Sequence, residues 1–246
     1  MQIRKQLVRN TGILMALGML LSPMAADARQ GAGNGNKGSQ AGLSSIIAQL
    51  PKEDLSTEEE DGLMLMREEE KLARDVYLTL HGKWGLAIFG NIALAEQRHM
   101  TAVKSLLVKY GLTDPVAGFE VGLFPTTEMQ DLYDSKVAEG SESLVDALYV
   151  GATIEDLDIF DLYELLSETD NLDIQIVYQN LAKGSRNHLR AFVSQLDSYD
   201  VIYEAQYLTS GEIDEILSTP WERGRVDEDG EPVTGGNMGG GQGGRQ

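Results

Sequence analysis

Residues 88–110 read IFGNIALAEQRHMTAVKSLLVKY, and this stretch decides the fold class. Its apolar side chains recur every three or four residues, which is the period of one face of an α-helix. Glu96 and His99 lie within that apolar face instead of on the polar side. Gly111 follows at once, and glycine commonly ends a helix because it accepts a left-handed conformation. The stretch therefore predicts a helix of roughly 35 Å, at 1.5 Å per residue, with a carboxylate and an imidazole on its buried side.

Three other stretches have the same period, and no stretch shows the strict alternation of a half-buried strand. A capping box at Ser56 and Glu59 marks the start of the first of them. Taken together, the four long helices are predicted at about residues 57–82, 88–110, 141–168 and 170–196.

Connection lengths predict the topology of these helices. The first two are joined by a few residues, and so are the last two, so each pair forms an antiparallel hairpin. Residues 111–140 form a long crossover with a short helix near residues 128–138. Another short helix after Ser210 is expected to close the domain, with Trp221 packed on it. The expected fold is all-α, an antiparallel four-helix bundle of two helical hairpins joined by a long crossover.

The two ends of the chain differ in composition from its middle. Basic residues, an apolar run and the small residues before position 29 predict a signal peptide over residues 1–28, with an uncleaved anchor as the alternative. Residues 29–48 and 221–246 are Gly-rich and are predicted to be disordered, which leaves residues 49–220 as the folded domain. We therefore expect a secreted or periplasmic protein that has no membrane contact after cleavage.

The amino-acid composition excludes several kinds of partner and functional site. The 246 residues include 39 acidic and 20 basic side chains, for a net charge of −19, which argues against partners such as nucleic acid or anionic lipid. Without cysteine, the chain has no disulfide, thiolate metal site or cysteine nucleophile. The three histidines are His81, His99 and His188, and His81 is expected at an exposed helix end. Any functional site must therefore rely on oxygen and imidazole groups.

Acidic residues in the middle of an apolar stripe need an explanation, because a buried charge without a partner is costly. Helical wheels place such residues on all four helices. Glu69 lies at the centre of its stripe and Glu70 toward the edge, so the wheel favours Glu69. Two explanations stay open, a bound metal ion or a buried network of hydrogen bonds and ion pairs. The inward polar residues are Glu69, Glu70, Glu96, His99, Glu155, Asp158, Ser185 and His188.

Four segments resemble an uncharacterised family of bacterial and archaeal ferritin-like proteins, related to rubrerythrin and ferritin. They are residues 68–77 (EEEKLARDVY), 95–100 (AEQRHM), 151–158 (GATIEDLD) and 184–190 (GSRNHLR). The resemblance covers about residues 55–200. It implies two metal ions, usually iron, held by one Glu from each of two helices and by Glu-x-x-His from the other two.

The resemblance also implies a set of metal ligands, and this chain departs from the pattern of the wider superfamily at one ligand position. Ser185 stands where the wider superfamily has a fourth glutamate, and Asp158 occupies the place of an additional acid of rubrerythrin-like sequences. Tyr77 matches a tyrosine that hydrogen-bonds to a ligating carboxylate, and Glu69 is the fallback for Glu70. The implied ligands are Glu70, Glu96, His99, Glu155, Asp158 and His188.

The resulting hypothesis is an exported ferritin-like protein with a dinuclear metal site. Two iron ions are the expected cofactor, with manganese or zinc as options, and the expected chemistry is Fe(II) oxidation or peroxide reduction. The enzyme class would then be a di-iron oxidase or a peroxidase. The alternative is a non-catalytic helical binding or scaffold module with a structural metal or none. Metal ions are the expected partners, and a homo-oligomer is a further option.

Overall fold

The computed structural model describes residues 38–233, and all the long regular elements in this part of the chain are helices joined by turns and irregular segments. The only pairing of extended backbone within it is a single bridge between Val226 and Pro232. The all-α prediction is therefore confirmed for these residues, whereas the ferritin-like four-helix bundle stays a prediction. The helices are α1 (Gly38–Ile47), α2 (Thr57–Trp84), α3 (Ala87–Tyr110), α4 (Thr127–Gly140), α5 (Leu144–Glu168), α6 (Leu172–Asp197) and α7 (Ser210–Ser218).

The helix ends follow the local signals in the sequence. The Ser56 hydroxyl accepts a hydrogen bond from the Glu59 amide, and the Glu59 carboxylate accepts one from the Ser56 amide. Gly85 ends α2 and Gly111 ends α3, with φ angles of 67° and 78° that a glycine adopts without strain. Helix α5 begins later than predicted because Ser143, rather than Ser141, caps its first turn.

The long helices contact one another as a closed ring. Helix α2 packs on α3 and α5, and α6 packs on the other sides of the same two helices. On α2, Arg67 donates a hydrogen bond to the carbonyl of Met100 on α3, and Arg74, further along α2, donates one to Gln97. The α3 partner thus lies earlier in the sequence as the α2 residue lies later. The two helices are therefore antiparallel. Helix α4 covers α2 and α5, α1 packs on α3, and α7 packs on α6.

The apolar core falls into two clusters. One surrounds the aromatic rings of Tyr77, Phe89 and Phe192, whose centroids lie 5.3 to 6.4 Å apart. The other lies at the opposite end of the long helices, around Leu106 and Leu162. The inward polar side chains lie between the two clusters along α3 and α6, so the fold places a charged layer inside an apolar interior.

The chain ends differ from the composition-based prediction. Helix α1 lies within the stretch predicted as a disordered linker, because Leu43 and Ile47 share one helical face and are buried against α3. In the predicted tail, Val226 is buried and its backbone bonds to the Asn180 side chain. Trp221 lines a surface pocket together with Ile216 of α7 and is 55% exposed, so its side chain is only partly covered.

The predicted signal peptide, residues 1–28, lies outside the described residues, as do the remaining parts of the Gly-rich ends. Among the described residues, no helix has both the length and the apolar character needed to cross a membrane.

Candidate metal centre

Five predicted ligands meet in the charged layer between the two apolar clusters. They form two groups, each with two carboxylates and one imidazole, and the donor atoms of each group lie within 4.8 Å of one another. The first group comes from α2 and α3, and the second from α3, α5 and α6. The groups are Glu70, Glu96 and His99, and then Glu96, Glu155 and His188.

Glu96 belongs to both groups, with one carboxylate oxygen in each. Its Oε2 lies 2.7 Å from Nδ1 of His99, and its Oε1 lies 2.7 Å from Nδ1 of His188. Glu70 completes the first group at 3.2 Å from Nδ1 of His99. Glu155 completes the second at 3.4 Å from Nδ1 of His188. The imidazole rings stack with centroids 5.6 Å apart, so the two groups are immediate neighbours.

In the second group, the donor atoms lie as close together as the ligands of one metal ion, but their geometry is not that of hydrogen bonds. Oε1 of Glu96 and Nδ1 of His188 are close, yet neither atom has a hydrogen-bond partner. Oε1 of Glu70 is also buried without a partner. Ligands 2.0–2.2 Å from one ion at right angles lie about 3 Å apart, which is the spacing seen here. The residues therefore fit a divalent metal ion in each group.

The charges of the metal-free cluster depend strongly on one another. Burial opposes the charged form of Glu96, but the imidazoles of His188 and His99 outweigh burial and lower the pKa of Glu96. Burial also opposes protonation of His188, but Glu96 and Glu155 outweigh it and raise the pKa of His188 to about 10. Burial raises the pKa of both Glu70 and Glu155. Burial and the close approach of opposite charges therefore shift the pKa values of these ligands in different directions.

Neighbouring residues orient the ligands. The Tyr77 hydroxyl donates a hydrogen bond of 2.6 Å to Oε1 of Glu155, which leaves Oε2 to face His188. A Cβ atom at Gly184 would lie 2.5 Å from the imidazole of His99, so only glycine leaves room for that ring. Both contacts restrict where the donor atoms can point.

Asp158 lies outside both ligand groups. Its carboxylate accepts a hydrogen bond from the Ser185 hydroxyl, and both residues are buried. Burial raises the pKa of Asp158 to about 8. The structure therefore brings Ser185 and Asp158 together beside the two groups, but it does not bring Asp158 into either of them.

Sequence comparison places the chain in a family. A family model described as an uncharacterised protein domain, DUF2202, matches residues 59–220. The chain belongs to the DUF2202 family. It is also 56% identical over 178 residues to the uncharacterised protein MJ0754 of Methanocaldococcus jannaschii, an alignment that covers 72% of this chain and 96% of that protein.

A crystal structure of a DUF2202 relative supports the fold. The structure of the hypothetical protein MJ0754 superposes with a TM-score of 0.69, covering 70% of this chain and 99% of that one. The matched DUF2202 region, residues 59–220, contains all the residues of both ligand groups.

The wheels missed several buried charges of the DUF2202 domain. Asp161 is buried beside Glu69. Lys71 and Asp75 form a buried ion pair on α2. Asp156 is buried but accepts hydrogen bonds from Tyr203 and from three backbone amides, which explains its position without a metal. His81 lies away from both groups, with Nδ1 3.0 Å from the Leu86 carbonyl oxygen.

Metal uptake is expected to strengthen as the pH rises from 6 to 8. His188 keeps its proton up to about pH 10 in the metal-free protein, and an imidazole must lose that proton before it binds a metal. Each proton released makes the affinity rise about tenfold per pH unit. Calorimetric titration with Mn²⁺ at several pH values, together with the number of protons released, checks this. An affinity that stays constant over this range would contradict it.

Proposed function

We propose that this protein is an exported ferritin-like four-helix protein with a dinuclear carboxylate and histidine metal centre. The observation that carries the proposal is the position of Glu96, which offers one oxygen to each ligand group. A carboxylate shared in this way suits two neighbouring metal ions better than one. Export rests on the composition of residues 1–28.

The donor set suits iron, manganese or zinc, and the ferritin-like resemblance makes iron the first choice among them. Three carboxylates and two imidazoles supply oxygen and nitrogen ligands, and the chain has no thiolate to offer. All three carboxylates are buried, so a divalent cation in each group would compensate charge that the interior otherwise opposes. Iron, when bound, would supply redox chemistry with oxygen or peroxide.

The protein's own side chains shape the surroundings of this centre. Tyr77 fixes the orientation of Glu155, and the rings of Tyr77, Phe89 and Phe192 form an apolar wall on one side. On another side the ring of His188 borders a groove of about 610 Å³, whose lining includes Ile92. The groove is large enough for a small molecule to approach the edge of the centre.

Metal analysis with single histidine variants tests the proposal. The full chain is loaded with Fe(II) under nitrogen and dialysed, and about two ions per chain are expected. His99→Ala and His188→Ala should each retain about one ion, because each variant removes the imidazole of one group. His81→Ala is the matched control and should retain the parent value. A parent protein that binds no metal would refute the centre.

The redox part of the proposal has its own test. Oxygen and then peroxide are added to the ferrous protein, and the change in iron oxidation state is followed by absorbance. Oxidation that depends on both His99 and His188 supports an oxidase or peroxidase. Iron that stays ferrous with both oxidants would refute the redox function and leave metal binding intact.

A non-catalytic scaffold with a structural metal or none is the second candidate. The hydrogen bond between Ser185 and Asp158 favours it, because this bond engages one oxygen of the carboxylate that would replace the missing fourth glutamate, and Asp158 lies outside both ligand groups. For a structural metal, loading should raise the unfolding temperature while oxygen and peroxide leave the iron unchanged.

A further inference from the structure

The groove beside His188 lies between α3 and α6 and differs in charge from the chain as a whole. One face of α3 contributes Asn91, Ala95 and Arg98 to its lining, at the spacing of successive helical turns. The walls are mostly apolar, and within residues 38–233 no acidic side chain lines the groove. Because the chain has 39 acidic and 20 basic residues, this groove is a local exception that favours an anionic ligand over a cation.

Two arginines line the groove, and only one of them is available to a ligand. The guanidinium of Arg190 is held by the C-terminal segment, since it pairs with Glu222 and donates to the Ile216 carbonyl. Arg98 is exposed, and its guanidinium forms no ion pair or hydrogen bond with another described residue. Arg98 therefore offers a planar pair of donors, which is the geometry that binds a carboxylate.

The available arginine lies at the end of the groove that is nearest to the ligand groups. Glu96 of α3 contacts His188 of α6. The later residue His99 packs on the earlier residue Gly184, so α3 and α6 are antiparallel. Arg98, the last α3 residue in the lining, is thus at the same end as His188, the first α6 residue in it. Apolar residues from the start of α3 line the other end.

We propose that this groove binds an organic monocarboxylate with an apolar chain. The carboxylate pairs with Arg98, and the chain lies along Ile92 and Ala191 toward the start of α3. The volume of about 610 Å³ is within the range of pockets that hold small organic molecules. Trp221 also lines the groove and is 55% exposed, so the bound chain covers part of its indole. The position of the carboxylate beside a metal centre rests on the proposed function, whereas binding in the groove does not.

Titration of the metal-free full chain with octanoate tests this inference. Calorimetry should show one saturable site, and the fluorescence of Trp221 should change over the same concentrations. Trp84, the other tryptophan, does not line the groove, so the fluorescence change should vanish in Trp221→Phe. Octanol has the same chain without the charge and should bind about tenfold more weakly than octanoate.

The variant that tests the charge is Arg98→Gln, which should weaken octanoate binding about tenfold and leave octanol binding unchanged. Lys104→Gln is the matched control, because Lys104 is an exposed basic residue of α3 that does not line the groove, and it should match the parent. Since Arg98 is exposed, its replacement should not disturb folding, and circular dichroism checks this.

The outcomes separate this inference from the dinuclear centre. The inference is wrong if octanoate gives neither saturable heat nor a fluorescence change, or if octanol binds as tightly as octanoate. Equal octanoate affinities of the parent and Arg98→Gln would also overturn it. The titration uses no metal, so octanoate binding to a chain that takes up no iron would refute the centre alone. Uptake of two iron ions without octanoate binding would refute this inference alone.

Discussion

Replacing Glu96 with glutamine is expected to remove both ions of the dinuclear centre at once. The amide oxygen is a weak metal ligand, and the amide nitrogen cannot bind a metal, so neither group keeps its shared carboxylate. One of the two histidines would also face an amide nitrogen in place of the oxygen that now lies 2.7 Å from its Nδ1. The bound iron should therefore fall from about two ions per chain to less than about 0.2, a larger loss than either histidine variant causes.

The matched control for this prediction is Glu164→Gln, which changes an exposed glutamate of α5. Iron content after dialysis and the thermal unfolding curve are measured for both variants. A Glu96→Gln protein that is folded and still holds one ion would show that the two groups bind independently, and a bridging role for Glu96 would be excluded.

Replacing Lys71 with methionine is expected to destabilise the fold by about 1–3 kcal/mol, because the buried carboxylate of Asp75 loses one of its two cationic partners and keeps only Arg74. The Lys71 ammonium pairs with Asp75, and the two side chains are 1% and 0% exposed. It also donates to the Glu120 carbonyl and lies over the ring of Phe124. Asp75 in turn accepts a hydrogen bond from the Gly122 amide. The pair thus ties the crossover between α3 and α4 to α2.

Urea unfolding of the metal-free protein measures this loss. Lys136→Met is the control, since Lys136 pairs with Glu139 at the surface and such pairs contribute less than about 1 kcal/mol. Equal losses in the two variants would mean that the buried pair contributes no more than a surface pair.

Much of the fold and part of the site could be predicted from local sequence signals. The capping box at Ser56 and the glycines at 85 and 111 act over a few residues, so they mark helix ends without knowledge of the tertiary structure. Glu96 and Glu155 each lie in the middle of an apolar stripe, and a single buried face is what a helical wheel detects.

Helix α2 shows why the rest could not be predicted. Residues 65–73 are buried all round, because α3, α5, α4 and the crossover cover different sides of the helix. A wheel assumes one buried face and therefore favours Glu69, whereas the structure places Glu70 in the first ligand group. Both residues are buried, but they face different neighbours. The wheel could not find Asp161 as the partner of Glu69 for the same reason. These contacts depend on how whole helices pack.

The origin of the ligands gives the centre an order of assembly. All three residues of the first group come from α2 and α3, within 30 positions of one another along the chain. The second group takes Glu155 from α5 and His188 from α6, so it also needs the C-terminal hairpin. Contacts close in sequence form early, and synthesis delivers the N-terminal hairpin first. One binding group can thus form while half of the domain is still unfolded, and the other is completed only when the two hairpins dock.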